Sequence, residues 1–133
     1  HLSIRRQRQM CIRDSSLVAE PYYSETLLQA VQAFPMLIEA GGVMAPQGNG
    51  FDEKARRTWI GQDTQGRILI SMSQYFLSLE DLQSWLMESD LNLTIAFALD
   101  GGRSSGLLLR TAGDDVMYPA FDRLPSVLTV YSP

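Results

Sequence analysis

From Ser24 onward the apolar positions Leu27, Leu28, Val31 and Phe34 recur at helical spacing, and Ser24 stands where it can cap the first turn. Pro35 stops that helix, and Met36-Leu37-Ile38 follows as a short apolar run of buried-strand type. Gly41 to Gly50 holds four glycines, Pro46 and Asn49, which predicts a loop. Arg57-Thr58-Trp59-Ile60-Gly61 and Arg67-Ile68-Leu69-Ile70-Ser71 flank Asp63-Thr64-Gln65-Gly66, the pattern of a hairpin. Ser78 and Asp81 make a capping box at the start of a second helix. That helix carries Leu79, Leu82, Trp85 and Leu86 on one face and runs to about Ser89. Leu93 to Leu99 is almost wholly apolar, as in a strand covered on both faces. Gly106 to Arg110 and Val127 to Tyr131 read as two more strands, with Gly113-Asp114-Asp115 turning between them. The fold class expected is α+β, a mixed sheet with hairpins and two flanking helices, forming part of a domain.

The chain has 133 residues, 45% hydrophobic and 20% charged, which fits one globular unit able to bury about two-thirds of its unfolded surface. The longest uncharged apolar run, Leu93 to Leu99, is too short to cross a bilayer as a helix, so no transmembrane segment is expected. A net charge of −4 and a single lysine, Lys54, argue against nucleic acid as a partner. One cysteine allows neither an internal disulfide nor a zinc cluster.

The first fifteen residues change this arithmetic. The chain opens on His1, and Gln9-Met10-Cys11-Ile12-Arg13-Asp14-Ser15 resembles the in-frame translation of a transposon-based sequencing adapter. Residues 1–15 are therefore expected to be a non-native segment, the alternative being a basic arm built on Arg5, Arg6, Arg8 and Arg13. Residues 16–133 then carry seven basic and fourteen acidic side chains, net −7, with no histidine and no cysteine. Without those two residue types, Cys–His dyads, Ser-His-Asp triads and His-ligated metals drop out. Carboxylates, hydroxyls, arginine, tyrosine, Lys54 and backbone amides remain, and no cofactor or metal is called for.

The segment richest in chemistry is Asp100-Gly101-Gly102-Arg103-Ser104-Ser105-Gly106. A carboxylate leaves the end of an apolar strand, two glycines permit a tight turn that exposes amides, and a guanidinium and two hydroxyls follow. Such a turn forms an anion-binding concavity, and arginine adds bidentate contact to a phosphate. The same Asp-Gly between two apolar runs also suits an ordinary hairpin turn. Arg56-Arg57 opens the hairpin just after the glycine-rich loop, either as an anion contact or as edge charge paired with Glu53. Asp114-Asp115 lacks a third ligand at useful spacing and reads as a solvated turn. The sequon Asn92-Leu93-Thr94 carries no weight by itself. Trp59, Trp85 and Phe97 are expected in the core, while Tyr22 and Tyr23 suit either packing or stacking on a sugar.

Four segments, taken in order, resemble the phosphodiester glycosidase domain family. They are Phe34-Pro35-Met36-Leu37-Ile38 with Gly41-Gly42; Arg57-Thr58-Trp59-Ile60-Gly61 with Gly66; Leu99 to Leu107 through Asp100-Gly101-Gly102; and Leu124-Pro125-Ser126-Val127-Leu128-Thr129-Val130-Tyr131. The resemblance spans residues 16–133 and is nearest to the short bacterial branch described as exopolysaccharide-related. It implies the C-terminal part of such a domain, with an N-terminal half and its own Asn-Gly-Gly-type loop lying outside this chain. It implies hydrolysis of a sugar-1-phosphodiester, with Asp100 and Arg57 as catalytic residues. Gly101, Gly102, Arg103, Ser104 and Ser105 would bind the sugar-phosphate or glycan substrate, and Arg103 stands where relatives are often small. A periplasmic or secreted location follows from the same resemblance. The competing expectations are a non-catalytic module binding glycan or anionic polymer, and an inactive truncated fragment.

Overall fold

The computed structural model describes residues 33–124 and 127–130. Five strands form one sheet: β1 (Met36–Glu39), β2 (Val43–Met44), β3 (Thr58–Asp63), β4 (Ile68–Met72) and β5 (Leu93–Ala98). The order is β2-β1-β5-β3-β4, and every neighbouring pair is antiparallel. The most apolar strand, β5, therefore takes the centre, where both of its edges are paired. One helix, α1 (Leu79–Glu88), precedes it, and a separate hairpin of β6 (Leu107–Arg110) and β7 (Asp115–Tyr118) follows.

The expected hairpin forms as β3 and β4, with Asp63 closing the turn. Its Oδ1 accepts from the amides of Gln65 and Arg67, both at 2.9 Å, and its Oδ2 accepts from Arg67 Nε at 2.6 Å. Burial raises the energy of a charged Asp63. The bonds from the Arg67 side chain and from the Arg67 and Gln65 amides outweigh this and hold its carboxyl below the usual carboxylate range.

Ser78 caps α1 as its spacing predicts. Its hydroxyl accepts from the Asp81 amide at 2.9 Å, and the Asp81 carboxylate accepts in return from the Ser78 amide. Leu79, Leu82 and Leu86 face inward and pack with Leu37, Ile38, Phe51, Trp59, Leu93, Ala96 and Ala98. Gln83 shares that face and is fully buried. Its Nε2 donates to the carbonyls of Leu37 at 2.9 Å and Ala45 at 2.7 Å, tying the helix to β1 and the chain beyond β2.

Several expectations need correction. A single helix is present among the described residues, so two flanking helices are not supported. Most of the helix expected from Ser24 lies outside those residues, and its last positions, Ala33 and Phe34, are not helical. Trp85 is 55% exposed rather than in the core. At about 100° per residue it sits roughly 60° beyond Leu82, off the apolar stripe. Phe97 is half-buried, whereas Trp59 is core as expected. The central strand is not covered uniformly. Its register shifts between its contacts with Gln62 and Asp63, so that Leu93, Ala96 and Ala98 are the buried positions. The Gly41–Gly50 loop contains the short strand β2. The partner of β6 is β7, whereas Val127–Val130 is irregular and Tyr131 lies outside the described residues.

Candidate functional site

Strand β5 hands the chain directly to the Asp100 loop. The amide of Leu99 still bonds the Thr58 carbonyl, at 2.8 Å, and Asp100 then stands exposed at the strand end. Gly101 lies hard against the segment leading into β3: a Cβ there would sit 2.9 Å from the Arg56 carbonyl oxygen. Gly102, at φ +65°, reverses the chain into a short 3-10 turn over Gly102–Ser104 and donates its amide to Arg56 O at 2.7 Å. Ser105 is buried beneath the turn, its Oγ donating to Arg56 O at 3.3 Å and accepting from Thr58 Oγ1 at 3.2 Å. The loop is thus fastened to the Arg56–Thr58 backbone, while the amides of Gly101 and Arg103 find no acceptor among the described residues.

Three arginines belong to this loop or to the segment it rests on, and each guanidinium is held differently. Arg57 runs its stem past Gly101, with Cδ 3.9 Å from the position a Gly101 Cβ would take. Its Nε donates to Leu77 O at 3.0 Å and its Nη2 to Glu53 O. Desolvation pulls the Arg57 pKa down, with Glu53 working in the opposite direction. Arg103 makes a two-pronged pair with Asp122, Nε to Oδ2 at 2.8 Å and Nη2 to Oδ1 at 3.0 Å. The hydrogen bonds and charge of this pair hold the Asp122 carboxyl low and raise the Arg103 pKa. Arg56 donates from Nη1 to Pro119 O at 3.2 Å, and its guanidinium lies 4.5 Å from the centroid of the Phe121 ring.

The residues expected to carry chemistry therefore converge, with distinct parts to play. Asp100, Gly101, Gly102, Arg103 and Ser104 share one turn, and Arg57 supports it from behind. Ser105 faces inward as an anchor, and the Gly102 amide is already engaged by Arg56. The sequence reading did not single out Phe76 and Phe121, which with Ala55, Gly102 and Arg103 line an open groove of ≈ 440 Å³ beside the loop. Asp115 begins β7, while Asp114 closes the β6–β7 turn by accepting the Thr111 amide at 2.9 Å on its carbonyl. Among the described residues no cluster of His, Cys, Asp and Glu could hold a metal ion, and no helix is long and apolar enough to cross a membrane. Tyr22 and Tyr23 lie outside the described residues.

No curated protein matches this chain. The sequence model of the phosphodiester glycosidase family matches residues 2–131, taking in every strand, the helix and the whole Asp100 loop. On the extent of that match, the chain belongs to the phosphodiester glycosidase family.

Proposed function

We infer that the protein hydrolyses a sugar-1-phosphodiester, breaking the bond between the anomeric carbon and the phosphate oxygen. Water adds to the anomeric carbon, the sugar leaves with a free hydroxyl, and the phosphate departs as a monoester that keeps the bridging oxygen. Because a phosphate monoester leaves readily, the site must chiefly supply anion stabilisation and positioning. The observation that carries this reading is the Asp100 carboxylate, exposed on a turn whose Gly101 and Arg103 amides are unengaged among the described residues. Asp100 activates water or stabilises positive charge developing at the anomeric carbon. The Gly101 and Arg103 amides, the Arg103 guanidinium and the Ser104 hydroxyl receive the phosphate. Arg57 acts from behind the turn, through its charge and its packing on Gly101. Gly102 and Ser105 hold the turn in shape.

The test offers the full-length protein a glycosyl phosphate alkyl or aryl diester and measures reducing sugar together with phosphate monoester. Asp100→Asn is expected to lower kcat by about a hundredfold or more. Wild-type turnover in that variant removes Asp100 from the mechanism, and release of inorganic phosphate identifies a phosphatase instead. A second reading is a module that holds an anionic glycan on the same amides without turning it over. Tight binding with no product selects it.

Three further points belong to the same reading. Residues 16–133 form the C-terminal part of the catalytic domain, which the upstream reading frame of the parent locus tests. The substrate is a glycan of the exopolysaccharide kind. The protein works in the periplasm or outside the cell, which fractionation of the parent organism checks.

A further inference from the structure

Phe76 and Phe121 are large apolar side chains left 65% and 57% exposed, yet the backbone beneath each is firmly held. The amide of Phe121 donates to Arg103 O at 2.8 Å, its ring lies under the Arg56 guanidinium, and the next residue, Asp122, grips Arg103. Phe76 precedes Leu77, which exchanges two backbone bonds with Ala55 at 3.0 and 3.1 Å and accepts from Arg57 Nε. Two aromatic side chains from distant parts of the chain are thus brought to one groove, with Ala55, Gly102 and Arg103 completing its lining. Aromatic surface left exposed beside a polar turn is the kind a ligand can cover, and the open groove measures ≈ 440 Å³.

We propose that Phe76 and Phe121 form a stacking subsite for a pyranose ring of the substrate and set its specificity. The C–H face of a pyranose carries partial positive charge and is apolar enough to leave water for the electron-rich face of a phenyl ring. Arg103, on the same groove, meets the negative phosphate attached to that sugar. An apolar floor beside an arginine whose exposed partner, Asp122, gives way to phosphate fits a sugar phosphate better than a plain alkyl phosphate or a neutral lipid. The subsite rests on the hydrolase reading only in naming the reaction that follows binding.

The experiment uses the full-length protein and four probes: inorganic phosphate, glucose 1-phosphate, the methyl diester of glucose 1-phosphate, and the diester joining glucose 1-phosphate to a second glucose. Affinity for the first two is read by calorimetry, and KM and kcat are read for the diesters. Phe121→Ala and Phe76→Ala are each expected to weaken glucose 1-phosphate binding about tenfold, with far less effect on inorganic phosphate. Their KM for diesters rises more than kcat falls, and Phe121→Tyr, which keeps the aromatic face, restores KM. A KM effect equal for both diesters places the ring on the glycosyl side of the phosphate. An effect confined to the glucose-glucose diester, with glucose 1-phosphate binding still dependent on the phenyl rings, places it on the leaving side. Equal losses for inorganic phosphate and glucose 1-phosphate, or no loss for either, overturn the proposal. If no diester is turned over while glucose 1-phosphate binding still depends on the phenyl rings, the subsite stands and the hydrolase reading falls.

Discussion

The five-stranded sheet has two ends built to different plans from the same strands. At one end, where β1 meets β2 and β3 meets β4, each turn is closed by bonds between near neighbours, with a few longer bonds to β5 and the residue before it. Asp63 takes its three hydrogen bonds from residues two and four positions away, and the Gly42 amide reaches Glu39 O at 3.1 Å as well as Thr94 O at 3.0 Å. At the other end the bonds join remote segments: Arg56 to Pro119 across 63 positions, Ser105 to Arg56 across 49, Arg103 to Asp122 across 19. Local closure shapes each turn from within, and bonds such as Gly42 to Thr94 O and Thr64 to Asn92 O then tie the turns to β5 and the residue before it. Long-range closure gathers a carboxylate, amides, arginines and two phenyl rings at one loop and leaves the Gly101 and Arg103 amides without an acceptor among the described residues. The sheet is the frame, and its two ends differ in how far along the chain their bonds reach.

Three changes put this division to the test. The largest effect is expected from Gly101→Ala, whose new methyl meets the Arg56 carbonyl at 2.9 Å and pushes the loop off its support. A shift of about 1 Å at a reacting group is enough to lower kcat about a hundredfold, with a smaller loss of thermal stability. Turnover at the wild-type level in this variant would show that the loop does not need its close seat.

Asp63→Asn addresses the opposite end and is expected to change stability while sparing turnover. The Asp63 pKa is depressed on folding, so its contribution is present above the ordinary carboxylate pKa of about 3.9 and is lost as pH falls through the lower folded value. The melting temperature of the wild type should therefore drop more steeply below about pH 4 than that of Asp63→Asn, as followed by circular dichroism. Parallel profiles would mean that the turn does not depend on its carboxylate.

The smallest effect is expected from Asp122→Asn. Asp122 occupies the Arg103 fork that a phosphate would use, and both side chains are exposed. Removing its charge should lower KM for a diester about twofold at low salt, with the difference fading as salt rises. A higher KM would instead make Asp122 a support for the loop.

The division also explains what could be seen in the sequence. The β3–β4 hairpin and α1 were legible because their signals, a glycine-containing turn and a capping box, lie within a few residues. The Asp100 turn was legible as a carboxylate followed by two glycines at a strand end. The groove was not. Phe76 and Phe121 carry no periodic mark, and only the Ala55–Leu77 bridge and the bonds to Arg103 place them together. The strand Asp115–Tyr118 was hidden because it starts inside an acidic pair that reads as turn, whereas Val127–Val130, richer in β-branched residues, is irregular. Propensity yields there to the partner available, since Leu107–Arg110 pairs with the segment its own short turn delivers. Gln83 had a readable signal that was passed over: a polar residue four positions after Leu79, in the middle of the apolar stripe of α1.

That buried glutamine has a consequence for how the molecule opens. With its Nε2 on the carbonyls of Leu37 and Ala45 and its Oε1 accepting from Gln47 Nε2 at 3.2 Å, Gln83 joins α1 to β1 and the segment beyond β2. Neither can swing away without stranding an amide and two carbonyls in an apolar interior, so they come loose together. Amide protons in α1 and β1 should exchange with deuterium as one cooperative unit. In a chain with a single cysteine, this primary amide takes the place of a crosslink, and it does so reversibly.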